Sequence, residues 1–161
     1  IEQIKKLPSL IGKRQKVAER LTEGLIGLKG LQLPFVANKC THVYYSYPMV
    51  IDVKLLEISK QKIAQALSAE GIEGVGTGYT NLHLLPIFQE KIAFGSKGFP
   101  WNSEFCKRDI DYSKGICPVA ESLHDDSHIS IGVCQYELEN SDVDLIVKVF
   151  KKVWSNLELL R

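Results

Sequence analysis

Tyr79, Asn81 and His83 put a phenol, an amide and an imidazole on alternate positions of one five-residue stretch. All three can make hydrogen bonds, and the imidazole can also move a proton near neutral pH. They follow a glycine-rich segment, GIEGVGTG (71–78), and precede the apolar anchor Leu84, Leu85, Pro86, Ile87 and Phe88. A firmly anchored loop that presents polar groups is a common way to display binding residues. The other reading is a loop whose polar side chains cap its own backbone. The chemistry of these residues leaves both open.

The other candidate constellations are weaker. A dinucleotide fingerprint needs its glycines between a strand and a helix, and a phosphate loop ends in G-K-[ST]. Here Gly76-x-Gly78 runs into Tyr79, Thr80 and Asn81, with neither the lysine nor a helix signal, so the cluster reads as a turn needing positive φ. Cys106, Cys117, His124 and His128 are zinc-ligand types, yet ten residues separate the two cysteines where a structural site wants a tight knuckle. Asp125, Asp126 and Ser127 would also end a helix joining the histidines, so no metal ligand is expected. Cys117 precedes a predicted helix N-terminus, where the dipole lowers a thiol pKa. Its base would have to come from His83 or His124, distant in sequence, and an inert packed cysteine is the better reading. No residue is assigned as catalytic.

Composition bounds the rest. The chain has 161 residues, 45% apolar and 24% charged, with 20 basic against 19 acidic residues. That is the composition of one soluble globular domain. A net charge of +1 gives no single-signed field to hold nucleic acid or an anionic membrane. No apolar run reaches the roughly 18–20 residues a bilayer span needs, and IEQIKKLPSLIGKRQK lacks the apolar core of a signal peptide. The only methionine is Met49, which points to a piece of something longer. Cys40, Cys106, Cys117 and Cys134 are expected as reduced thiols in a cytoplasmic protein.

The elements that must carry the loop alternate along the chain. Ile4, Leu7, Ile11, Ala18, Leu21 and Leu25 trace a stripe that predicts an amphipathic helix over 10–28, capped by Ser9 and stopped by Gly30. A strand is expected over 43–50, with Pro48 marking an edge or bulge. Ser59 caps a predicted helix over 60–70, with Ile58 and Ile63 as its staple and Gly71 as its stop. A short strand opens the glycine-rich segment, and from there to about Gly115 no period survives. Phe94, Phe99, Trp101, Phe105 and Tyr112 argue that this long segment is ordered and functional. Pro118 opens a short helix, 128–135 alternates like a strand, and Ser141 with Asp144 predicts a capping box. The final helix has the apolar face Val143, Ile146, Val147, Phe150, Val153, Trp154 and Leu157. The fold class is therefore α/β, in the α+β sense: a small, mainly antiparallel sheet with helices packed on one face.

Taken in order, the motifs Q-x-x-K-x-L, R-x-x-x-A-x-x-L, H-V-Y-Y-S-Y-P-M, A-L-x-x-x-G-I, Y-x-x-L-H-x-x-P-I-F, C-P-V-A-E-x-L and S-D-V-D-L-I-x-K-V-F-K-K-V-W resemble the C-terminal part of the DegT/DnrJ/EryC1/StrS family. These are sugar aminotransferases of fold-type I that use pyridoxal phosphate. The resemblance runs from about Ile4 to Trp154, with 1–30 as the helix leading in and 31–161 as the small C-terminal domain. It implies a parent enzyme that moves an amino group, usually from glutamate, to a nucleotide-linked keto sugar, as a homodimer in polysaccharide or antibiotic sugar biosynthesis. It also implies that the Schiff-base lysine and the other cofactor-binding residues lie in a large domain upstream of this chain. On that reading the chain is inactive alone and holds no pyridoxal phosphate itself. Its partners are the nucleotide sugar, its own large domain and its dimer mate. Tyr79, Asn81, His83 and Trp101 become substrate-side residues of the complete enzyme, and Phe99 and Tyr112 could flank a sugar or base. A stand-alone, non-catalytic binding module with the same architecture is the alternative.

Overall fold

The first amphipathic stretch forms α1, Glu2–Leu25, which begins well before the expected Leu10. Pro8 lies inside it: its fixed φ suits the helix and costs one backbone hydrogen bond, so the helix runs through. It ends at Leu25, and Gly27, at φ +88, rather than Gly30, turns the chain out of it. Ala18, Leu21 and Leu25 are buried, whereas Ile4 is 69% exposed, so only the second half of the stripe enters the core. The description comes from a computed structural model and covers residues 1–132 and 136–161. The end of the strand expected over 128–135, and Cys134, lie outside the described residues; Cys40, Cys106 and Cys117 are free thiols.

Two compact units are present, one formed by residues 1–77 with 126–161 and the other by 78–125. The first continues from α1 with β1, Leu31–Gln32, and β2, Tyr47–Ile51. The expected strand over 43–50 starts late because Tyr44 takes a left-handed backbone, at φ +48, and donates its N–H to His42 Nδ1 at 2.8 Å. A short helix not foreseen, α2 at Val53–Leu56, is capped by Asp52 Oδ1 accepting from Leu55 N–H. Helix α3, Lys60–Ala69, has the expected Ser59 cap, and Ile58 and Ile63 are both buried. β3, Val75–Gly76, follows. The second unit contributes a 3₁₀ turn at Leu82–Leu84, α4 at Pro86–Gln89, and α5 at Pro118–Ser122 with Pro118 in its first turn. A π-helical turn, Leu123–Ser127, then leads to β4, His128–Ile131, and to α6, Asn140–Ser155.

The sheet is antiparallel throughout, in the order β1-β2-β4-β3, with Tyr47 opposite Ile131 and Met49 opposite Ile129. Tyr47, Met49 and Ile51 alternate into the core with Ile129 and Ile131, and α1, α3 and α6 close that face. This is the α+β arrangement of the expected fold class. Pro48 is not on an edge strand. It sits where β1, which pairs only at Val50 and Ile51, leaves one flank of β2 open. The capping box of α6 is shifted: Glu139 caps, and Asp142 Oδ2 accepts from the Glu139 N–H at 2.8 Å. Asp144 instead binds Arg20 of α1 through both of its oxygens, each at 2.7 Å. Among the described residues no helix is long and apolar enough to cross a membrane.

Helices α1 and α6 touch at Gly24. A Cβ there would stand 2.5 Å from Val147 Cγ2, far inside contact distance. Alanine normally favours a helix over glycine by about 1 kcal/mol. At this position, however, the stiff β-branched Val147 cannot yield, and overpacking of this kind costs about 1–3 kcal/mol. Chemical denaturation of Gly24→Ala is expected to show a less stable protein, and adding Val147→Ala should recover part of the loss.

Candidate functional site

Residues 78–125 hold all four sequence-expected site residues. The unit is organised less by secondary structure than by one carboxylate. Glu121, on α5, is only 6% exposed. A carboxylate shielded from water must collect donors, and Glu121 does so from two directions. Gly115 N–H donates to both oxygens, at 2.8 and 2.9 Å, and Cys117 N–H to Oε1 at 3.2 Å. From 38 residues upstream, His83 Nε2 approaches Oε1 at 2.9 Å. Burial pushes the Glu121 carboxyl pKa up; the hydrogen bonds from Gly115, Cys117 and His83 outweigh it and hold the group below its ordinary value. An ionised Glu121 only accepts, so Nε2 of His83 must carry a proton.

A second layer fixes the surrounding backbone. Gln89 Nε2 donates to the carbonyls of both His83 and Tyr112, each at 2.7 Å, which ties α4 to the two ends of the aromatic segment. Phe88 packs edge-on against Trp101 and tilted against Tyr112, with ring centroids 6.1 and 5.2 Å apart. Trp101 Nε1–H donates to the Tyr112 hydroxyl at 3.0 Å. The aromatics of this long segment therefore include its own small core, as their abundance implied.

The expected site residues fare differently. Tyr79 is 92% exposed. Asn81 is 8% exposed and stands at the N-cap of the 3₁₀ turn, yet its side chain makes no capping bond. Among the described residues its amide has no hydrogen-bond partner, and His83 has none besides Glu121. The alternative in which these side chains cap their own loop thus does not describe Asn81 or His83. Trp101 is half-buried, its indole N–H already engaged. Phe99 lies instead across a small bridge from Phe94, with centroids 6.2 Å apart. Glu121 itself was not among the expected residues. It lies within C-P-V-A-E-x-L, but nothing in sequence spacing marks it as the partner of His83.

The remaining candidates resolve into local structure. Gly78, at φ +137, lies against His124, where a Cβ would meet Nδ1 at 2.7 Å. Among the described residues no group of three or more His, Cys, Asp or Glu side chains could hold a metal ion. Lys60 is 1% exposed and its Nζ donates to the Thr77 carbonyl at 2.6 Å.

Comparison with known proteins agrees with this architecture. A model of the DegT/DnrJ/EryC1/StrS aminotransferase family matches residues 1–148. An uncharacterized protein of Methanocaldococcus jannaschii, MJ1066, is 26% identical over 132 residues, 81% of this chain and 32% of that one. The spore coat polysaccharide biosynthesis protein SpsC of Bacillus subtilis is 24% identical over 126 residues, 78% of this chain and 31% of its own. The aminotransferase TlmJ from Streptoalloteichus hindustanus shares the fold with a TM-score of 0.68 at 22% identity, over 97% of this chain and 35% of that one. DesV of S. venezuelae, solved in complex with a ketimine intermediate, does so at 0.67 and 20%, over 94% and 33%. The chain spans about a third of the length of each.

A carboxyl whose folded pKa lies below its unfolded one stabilises the fold at every pH above the unfolded value. That stability is lost as pH falls through the folded pKa. With an ordinary glutamate near about 4.3, the Gly115 and Cys117 amides should keep their exchange protection at neutral pH. They should lose it as pH falls below about 4. Hydrogen exchange followed by NMR checks this, and Glu121→Gln is expected to flatten the dependence.

Proposed function

We propose a function that proceeds from the family this chain belongs to, the DegT/DnrJ/EryC1/StrS aminotransferases. The chain is the C-terminal part of a cytoplasmic, pyridoxal-phosphate-dependent sugar aminotransferase. The complete enzyme moves an amino group from glutamate to a nucleotide-linked keto sugar. In it, Tyr79, Asn81, His83 and Trp101 stand on the substrate side, and this chain works against its own large domain and a dimer mate.

One observation carries the substrate-side assignment. Asn81 is nine-tenths buried, with an amide that no described residue satisfies. That unpartnered amide keeps some contact with solvent, where the hydroxyl of a ligand can meet it. His83, two residues on, adds an imidazole held by one nitrogen only. Amides and imidazoles are suited to the hydroxyls of a sugar, and the half-buried ring of Trp101 to a sugar or base face.

The residues of this chain do not fit pyridoxal phosphate as its anchor. An internal aldimine needs an amine held against the cofactor with a lowered pKa. Lys60, the buried lysine, gives its ammonium to the Thr77 carbonyl, and the half-buried Lys91 pairs with Asp109 at 2.9 Å. The other lysines are exposed. We therefore place the cofactor and its lysine in sequence outside this chain and take this chain to be inactive alone.

Two outcomes test the reading. Mixing this chain with pyridoxal phosphate and borohydride should trap no stoichiometric adduct on a single lysine; a saturable one would refute its inactivity. In the complete protein, Asn81→Ala and His83→Ala are each expected to lower kcat/KM for the keto sugar by about tenfold or more, the loss of one or two hydrogen bonds. The glutamate half-reaction should change less.

A further inference from the structure

His83 has two ring nitrogens, and the structure treats them differently. Nε2 lies 2.9 Å from Glu121 Oε1, while Nδ1 has no hydrogen-bond partner among the described residues. Only a donor can face a carboxylate at that distance, because a bare nitrogen would set two lone pairs against each other. Glu121 cannot turn away: its oxygens are also held by Gly115 and Cys117 N–H. Nor can the imidazole flip without loss. Its side chain is 11% exposed, and a flip would place a C–H against Oε1. In the neutral ring the proton therefore resides on Nε2, and Nδ1 keeps its lone pair.

We infer that Glu121 is a positioning residue which fixes the tautomer of His83, so that Nδ1 is offered to the substrate as an acceptor for a hydroxyl hydrogen. This rests on the reading of His83 as a substrate-side residue. The specificity that follows is for a ligand presenting an O–H donor at that point. Asn81 complements it, since its amide can both donate and accept, whereas neutral His83 then only accepts. Gln89 takes part through the His83 carbonyl, holding the backbone at 2.7 Å without touching the ring. Glu121 does not itself touch substrate; it acts through His83, much as an outer carboxylate fixes the tautomer of a metal-bound histidine.

The first test needs no substrate. In ¹⁵N-labelled chain at alkaline pH, long-range nitrogen–proton correlation of His83 should show a protonated Nε2 and a bare Nδ1. Glu121→Gln, whose amide can donate as well as accept, should mix the two tautomers. A wild-type ring protonated on Nδ1 would overturn the inference, and so would an unchanged tautomer in the variant. The second test uses the complete protein with a panel of UDP- and TDP-linked keto hexoses. Asparagine can place an amide oxygen near the Nδ1 position, glutamine near Nε2. His83→Asn is therefore expected to keep more of the wild-type KM than His83→Gln, and Glu121→Gln to raise KM by the factor by which the Nε2-protonated fraction falls. If the tautomer is as expected but KM ignores all three variants, the substrate-side reading falls and takes the inference with it. If KM responds to His83 while the tautomer does not respond to Glu121, the reading stands and the inference fails.

Discussion

A carboxylate that leaves water must find donors to replace it, and in the segment 78–125 that requirement falls on Glu121. Its helix, α5, has five residues, and α4 has four, so neither can organise the chain by its own hydrogen bonding. Glu121 instead gathers two backbone amides from the turn before α5 and a ring nitrogen from far upstream. The position of His83 and the path of residues 115–117 are thus solutions to one electrostatic problem. The aromatic trio around Phe88 supplies the apolar half of the same unit, with Gln89 stitching its backbone.

The unit built from 1–77 and 126–161 obeys a different constraint, shape rather than charge. Gly24 lets α1 and α6 approach until Val147 fills the missing Cβ, and Tyr47 reaches up from the sheet to the hydroxyl of Thr22 at 2.7 Å. Thr22 donates its own proton to the Ala18 carbonyl, so Tyr47 is the donor of that pair. Burial raises the Tyr47 pKa, and the phenol remains protonated there.

Periodic segments were read well from sequence. The stripe of α6 and the Ser59 cap of α3 depend on residues a few positions apart, which is the range over which spacing carries information. The errors came where a local signal had two solutions. Ser141 with Asp144 fits a capping box, but Glu139 with Asp142 also does, and the demand of Arg20 for Asp144 decides between them. Ser9, expected as the cap of the first helix, lies inside α1, with Pro8 before it a tolerated interior residue. The candidate site was half legible: Asn81 and His83 stood out by type and spacing. Glu121 stayed hidden, because a contact across 38 residues leaves no periodic trace.

The strands at the two margins of the sheet, β1 and β3, are two residues each. A foreign polypeptide seeking to extend the ladder from either of them would find a run of only two residues to join. At β1 and β3 the protein is poorly suited to accretion into fibrils, and this protection comes from brevity.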